Sequence, residues 1–251
     1  MYSKPFIGIN VDCPTDRAWG AAFQDFLLPR WLEWIAGAGG VPIVVPRLND
    51  GIDQRRVLEH LQGFVLAGQR DLNPPIDSRV VSRRDRCFEA ELVRRIAELR
   101  LPFLGIGIGA QALNVALGGT LCPVSNRPRG KYHIHPHNPR HLLLTQPGSL
   151  LDRAYGSNPR LVPSTHRVAI DQLAVGFAAT ACCEDGIVEA IESQTDDWFA
   201  VGVQFCPEPD ASWQPGMRIF EELVDEAMAY GALHARQPVH NASGFSGKPD
   251  A

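Results

Sequence analysis

The stretch Leu101–Leu121, LPFLGIGIGAQALNVALGGTL, constrains the fold of this chain more than any other. A short apolar strand, Leu101–Ile106, runs into closely spaced glycines, and a helical segment, Ala110–Leu117, follows at once. A strand, a tight turn and a helix, with small residues on both sides of one apical residue, is the layout of a nucleophile elbow. The sharp turn leaves no room for side chains beside the apex, which suits Gly105 and Gly109. The apex, where such a turn carries Ser or Cys, is Gly107. Glycine has no nucleophile, no proton to give and no charge, so the fold is easier to read here than the chemistry.

Strands and helices alternate through the first half, which predicts a mainly parallel sheet covered on both faces. Phe6–Val11, Ile43–Val45, Phe64–Ala67 and Phe103–Ile106 are short continuous apolar runs, as strands buried on both faces require. Helices are expected near Phe23–Ala36, Gln54–Leu61 and Asp85–Leu99. In the last, Phe88, Leu92, Ile96 and Leu99 recur at helical spacing, and Pro102 ends it. The second half reads as more antiparallel: His141–Thr145, Val175–Cys182 and Ile187–Glu192, with Glu184-Asp185-Gly186 as hairpin turn chemistry. Phe199–Gln204 is a further apolar strand and Met217–Tyr230 a closing helix. The expectation is one α/β domain over residues 1–236, a three-layer sandwich whose sheet is mostly parallel with an antiparallel part. The Gly-, Ser- and Pro-rich stretch 237–251 reads as a mobile tail.

At 251 residues the chain is long enough for one large core. A net charge of −4 gives no general attraction to nucleic acid or to an anionic membrane surface. No apolar run approaches the ~20 residues needed to span a bilayer, and MYSKPFIGIN enters a strand without a signal-peptide core. The six cysteines show no paired short spacing. Free thiols in a reducing cytoplasm are therefore expected, with Cys182 and Cys183 pointing to opposite faces of a strand.

Several ordered blocks carry a resemblance. The elbow reads Gly105-Ile106-Gly107-Ile108-Gly109-Ala110-Gln111-Ala112-Leu113-Asn114-Val115, then Gly118-Gly119-Thr120-Leu121. With it stand Lys4-Pro5-Phe6-Ile7-Gly8-Ile9, Ala38-Gly39-Gly40-Val41-Pro42, Asp185-Gly186-Ile187-Val188-Glu189-Ala190-Ile191-Glu192 and Val201-Gly202-Val203-Gln204-Phe205-Cys206-Pro207-Glu208. Over about Lys4–Tyr230 the chain resembles the class I glutamine amidotransferase-like hydrolases, specifically the γ-glutamyl-γ-aminobutyrate hydrolase group, peptidase family C26. The resemblance implies a flavodoxin-like class I amidotransferase fold. It also implies a Cys–His–Glu catalytic set, in which the thiol attacks a γ-carbonyl to form a glutamyl thioester and the His shuttles the proton. Carried over residue by residue, the Cys position is Gly107, the His position is Cys206, and the Glu position is kept as Glu208. The Arg after the nucleophile is Ile108. The oxyanion segment G-G-x-D reads Gly68-Gln69-Arg70-Asp71. The departures fall on the catalytic positions while the scaffold blocks persist.

Each position has a blander reading beside the functional one. Gly107 is a dead elbow or a βα turn that never bore chemistry. Cys206 is a relocated nucleophile or a small Cys filling a vacated site, and the carboxylate of Glu208 nearby disfavours its thiolate. His133, His135 and His137 alternate, with His141 following, so they are metal ligands or solvated loop residues; no metal is expected. Ser164-Thr165-His166-Arg167 resembles the family's S-x-H-H-Q segment, where His166 is a ligand contact or a packing residue. Gln111 lies at the start of a helix whose free amides can hold a carboxylate or oxyanion.

The leading expectation is a degenerate, non-catalytic binding or regulatory protein, cytoplasmic and without cofactor. Gly68, Gln69, Ile108, Gln111 and His166 are expected around a γ-glutamyl-like or carboxylate ligand. A protein partner or homo-oligomer is compatible with this; nucleic acid and membrane are not. The alternative is a hydrolase of γ-glutamyl or related amides with altered catalytic residues.

Overall fold

The computed structural model describes residues 3–11, 28–47, 51–68, 72, 88–124, 140–164, 166–207 and 214–234. In the parallel half lie β1 (Phe6–Val11), β2 (Val41–Val44), β3 (Gly63–Gly68), β4 (Phe103–Gly107) and β11 (Ala200–Val203). The antiparallel half holds β6 (Arg140–Thr145), β7 (Arg160–Pro163), β9 (Phe177–Cys183) and β10 (Val188–Ser193). These nine strands form one sheet in the order β2-β1-β3-β4-β11-β10-β9-β6-β7. A separate two-stranded ribbon pairs β5 (Leu121–Pro123) with β8 (Val168–Ile170). The helices are α1 (Leu28–Gly37), α2 (Gly51–Glu59), α3 (Phe88–Glu98), α4 (Ile108–Ala116), α5 (Leu150–Tyr155) and α6 (Gln214–His234).

Alternation along the strands divides the core in two. Ile7, Ile9, Val65, Ala67, Leu104, Ile106, Val201 and Val203 face Trp31, Trp34 and Ile35 of α1 and Phe220, Leu223 and Val224 of α6. Their neighbours Phe64, Leu66 and Phe103 face Leu58 of α2, Leu92 and Ile96 of α3, and Ala112 and Leu113 of α4. The three layers are thus helix, sheet, helix, as the apolar runs predicted. No helix among the described residues is long and apolar enough to cross a membrane.

From Leu121 onward the chain holds elements that the sequence reading did not contain: α5, β5, β7 and β8. All are short, and α5 has six residues, too few for a helical period to show. Several boundaries also shift. The strand expected from Ile43 begins at Val41, and the closing helix extends to Gln214–His234. The hairpin at Glu184–Gly186 is present, with Gly186 at φ 80°. Of the expected helix Phe23–Ala36, residues 23–27 lie outside the described residues, as do 85–87 of the expected helix Asp85–Leu99 and the whole of the stretch 237–251 read as a tail.

Candidate functional site

In open α/β sheets ligands bind beyond the carboxyl ends of the strands, and that edge here is organised around Gly107. The residue ends β4 and precedes α4 at φ 60°, ψ −109°, and as glycine it offers the helix amides no side-chain cap of its own. Its neighbours are glycines of necessity. A Cβ at Gly105 would lie 2.6 Å from the Gly109 carbonyl oxygen, and one at Gly109 would run into the Leu66 carbonyl. This is the elbow geometry expected from the sequence. A Cβ at Gly107 itself would press into the carbonyl oxygen of Gly68, its partner in the β3–β4 ladder.

β11 runs parallel beside β4, with Val203 opposite Ile106. The chain then leaves the sheet through Gln204, whose side chain meets Gln111 of the elbow helix, and runs on through Phe205 and Cys206. Cys206 is half-buried and its backbone amide donates to the Pro163 carbonyl at 3.1 Å. Glu208, Gln69 and the histidines at 133, 135 and 137 lie outside the described residues. Cys122, Cys182, Cys183 and Cys206 are free thiols. Cys183 is buried and Cys182 half-buried, on opposite sides of β9.

The residues expected around a ligand are placed as follows. Gly68 is at the end of β3, against the elbow. Ile108 is 1% exposed and packs in the core on the α3 side, so its side chain does not face the strand ends. Gln111 is fully buried: its Oε1 accepts from the Leu72 amide at 2.6 Å, and its Nε2 donates to Gln204 Oε1 at 3.1 Å and to the Val168 carbonyl at 3.3 Å. His166 is 3% exposed, with Nδ1 2.8 Å from that same Val168 carbonyl and Nε2 3.1 Å from Glu189 Oε1. Gln111 and His166 therefore form the floor beneath the elbow, with their polar atoms committed to protein groups.

Of the residues that meet this floor, Glu189 was not singled out from sequence and His141 was given another setting. Glu189 is the extra residue of a β-bulge: Val188 pairs with Cys182 and Ala190 with Ala181, which leaves Glu189 without an opposite number. Bulges re-aim side chains, and this one buries the carboxylate completely. Burial pushes the Glu189 carboxyl upward, but the hydrogen bonds and charges of His141 and His166 outweigh it and hold the group down at about 2. His141, weighed from sequence as a metal ligand or a solvated residue and placed at the start of the strand His141–Thr145, is 1% exposed with Nε2 3.1 Å from the same Glu189 oxygen. It shares the inward face of β6 with Leu143, which explains its burial. Burial and the Glu189 charge also raise the Cys182 thiol. Among the described residues no group of three or more His, Cys, Asp or Glu is arranged to hold a metal ion.

At the other end of β11 a hollow of about 220 Å³ is lined by Arg153, Glu192, Asp196, Trp198, Glu222 and Glu226. It lies at the amino edge of the strand, away from the elbow.

Residues 5–208 match the sequence profile of the family described as peptidase C26. A Mycobacterium tuberculosis protein provisionally named a glutamine amidotransferase is 33% identical, the alignment covering 93% of this chain and 78% of that protein. The γ-glutamyl-γ-aminobutyrate hydrolase PuuD of Escherichia coli K12 is 28% identical over 88% of this chain and 92% of its own length. The fold matches the glutaminase domain of Trypanosoma brucei CTP synthase with a TM-score of 0.62 at 15% identity, covering 90% of this chain and 94% of that domain.

Proposed function

Since this chain belongs to the peptidase C26 family of class I glutamine amidotransferase-like proteins, we propose that it is a member without thioester chemistry, which binds a ligand or partner at the elbow instead of hydrolysing it. The observation that carries this reading is Gly107. It holds the apex at φ 60°, and no side chain fits there without moving Gly68. The family mechanism needs an attacking atom at that apex and a proton shuttle on the following strand. Gly107 supplies neither atom nor proton, and a thiol at Cys206 is not the base that a histidine would be.

The start of α4, to which Gly107 gives no side-chain cap, carries the partial positive charge of a helix N-terminus, which favours a carboxylate or oxyanion. A γ-glutamyl-like or other carboxylate ligand is the class that such a pocket would retain after the reaction is lost.

Purified protein should release neither ammonia from glutamine nor γ-aminobutyrate from γ-glutamyl-γ-aminobutyrate above background. An acivicin-type electrophile followed by mass spectrometry should leave no adduct on the elbow peptide. Measurable turnover with a stoichiometric adduct on Cys206 would overturn the proposal and establish altered-chemistry hydrolysis. The double variant Gly107→Cys, Cys206→His restores the thiol and imidazole. It should gain only partial activity, because the new Cβ meets the Gly68 carbonyl and a defective oxyanion site alone costs roughly 10²–10³ in rate.

A further inference from the structure

A polar string crosses the molecule beneath the elbow. It starts at the Leu72 amide and passes through Gln111 to the Val168 carbonyl, which also meets His166 Nδ1. From His166 Nε2 it reaches Glu189 Oε1, and from there His141 Nε2 on β6. It thus ties Leu72 and the elbow helix to the antiparallel half of the sheet.

The protons along this string are constrained by donor and acceptor roles. A carbonyl oxygen only accepts, so His166 Nδ1 carries a proton at Val168. An ionised carboxylate only accepts, so His166 Nε2 carries a second proton at Glu189. The alternative, a neutral His166, requires a protonated Glu189. Two imidazole nitrogens, from His166 and His141, converge on Oε1 at 3.1 Å each, an arrangement in which a carboxylate oxygen accepts from both. A buried carboxylate needs a cation beside it, and the ring contacting both acceptors is the group placed to be one.

We propose that His166 is a buried imidazolium that acts as a positioning residue. Paired with Glu189, it fixes the Val168 carbonyl as the acceptor for Gln111, and so sets the floor of the elbow cleft. Among the described residues, the titratable groups facing this pair include His141 from β6 and the Cys182 and Cys183 thiols from β9, with Asp185 bonded to Cys183. Both thiols are raised, chiefly by burial, so they stay neutral and add no competing charge. The consequence for ligand binding rests on the proposed function above. The protonation state does not, and it is measured without any ligand.

The test is ¹⁵N NMR of the histidine side chains in the full chain, with His166→Gln identifying the resonance. At pH 7.5, where a free histidine is mostly neutral, the His166 ring should show both nitrogens protonated. Glu189→Gln should remove the Nε2 proton and leave Nδ1–H on Val168. The same variant should flatten the acid limb of stability. Glu189 is depressed from 4.5 to about 2, so its contribution is present above about 4.5 and lost as the pH falls towards about 2. A wild-type His166 with one bare nitrogen at pH 7.5 would overturn the proposal, whether or not Glu189→Gln folds. So would a folded Glu189→Gln protein that keeps the imidazolium signature. Failure of every ligand to bind would count against the proposed function and leave the imidazolium standing.

Discussion

Gly107 holds a positive φ at the apex of the turn although it carries no side chain. A turn freed of its side chain can relax at little cost in glycine, yet the apex remains at φ 60°, ψ −109°. The ladder explains why. Gly68 pairs with Gly107 on one side and Val203 with Ile106 on the other, so the strand ends hold the turn in place. A residue with a Cβ would enter a region costing about 1–3 kcal/mol and would also displace the Gly68 carbonyl. Gly107→Ala should therefore lose at least that much stability, read as a lower urea midpoint with an unchanged slope. A variant as stable as the parent would mean that the end of β3 yields freely. Glu189 shows the opposite residue-scale outcome: a charged side chain placed in the core, tolerated because two imidazoles meet one of its oxygens.

At the scale of elements, the sequence signals that succeeded are those repeated within one segment. The continuous apolar runs of β1, β3 and β4 and the helical spacing of Phe88, Leu92 and Ile96 in α3 are such signals. α5 lacked one. It is held instead by its ends: Ser149 Oγ accepts from the Asp152 amide at 3.0 Å, and the Glu192 carboxylate accepts from the Leu150 and Leu151 amides at 3.1 and 3.2 Å. The Ser149 cap is local and readable once sought, whereas Glu192 arrives from β10. Ser149→Ala should cost about 1 kcal/mol, measured by chemical denaturation. A neutral result would show that Glu192 alone satisfies this helix start. At the other end of α4, Asn114 donates to the Thr120 and Gln172 carbonyls at 3.0 and 2.9 Å and accepts from the Ala174 amide at 2.8 Å. One amide thus fastens the elbow helix to the segments around the β5–β8 ribbon.

For the molecule as a whole, the sheet is a partition between two cores. Trp34 and Phe220 meet edge to face at 5.2 Å on one side, while Leu92 lies among Phe64, Phe103 and Leu113 on the other. Phe220→Ala should cost about 3–5 kcal/mol and Leu92→Ala about 2–5 kcal/mol. With no shared partners, the two should add within about 0.5 kcal/mol in the double variant. A larger coupling would show that the sheet transmits strain between its faces.

The sequence by itself determined the parallel half of the sheet and the elbow. Strand periodicity, turn glycines and the residue at the apex are all properties of one short stretch, and close backbone approach at Gly105 and Gly109 admits no other residue type. It also determined that Gly107 and Cys206 stand at the turn and just past the adjacent strand. Only the tertiary structure decided where the polar side chains go. Ile108 turned into the core, Gln111 and His166 became floor, and His141 met the Glu189 carboxylate. These outcomes depend on which strands become neighbours and on a bulge in the β9–β10 ladder. Contacts between residues far apart in the chain leave no mark in local spacing, so the buried carboxylate and its two imidazoles became visible only once the sheet had closed around them.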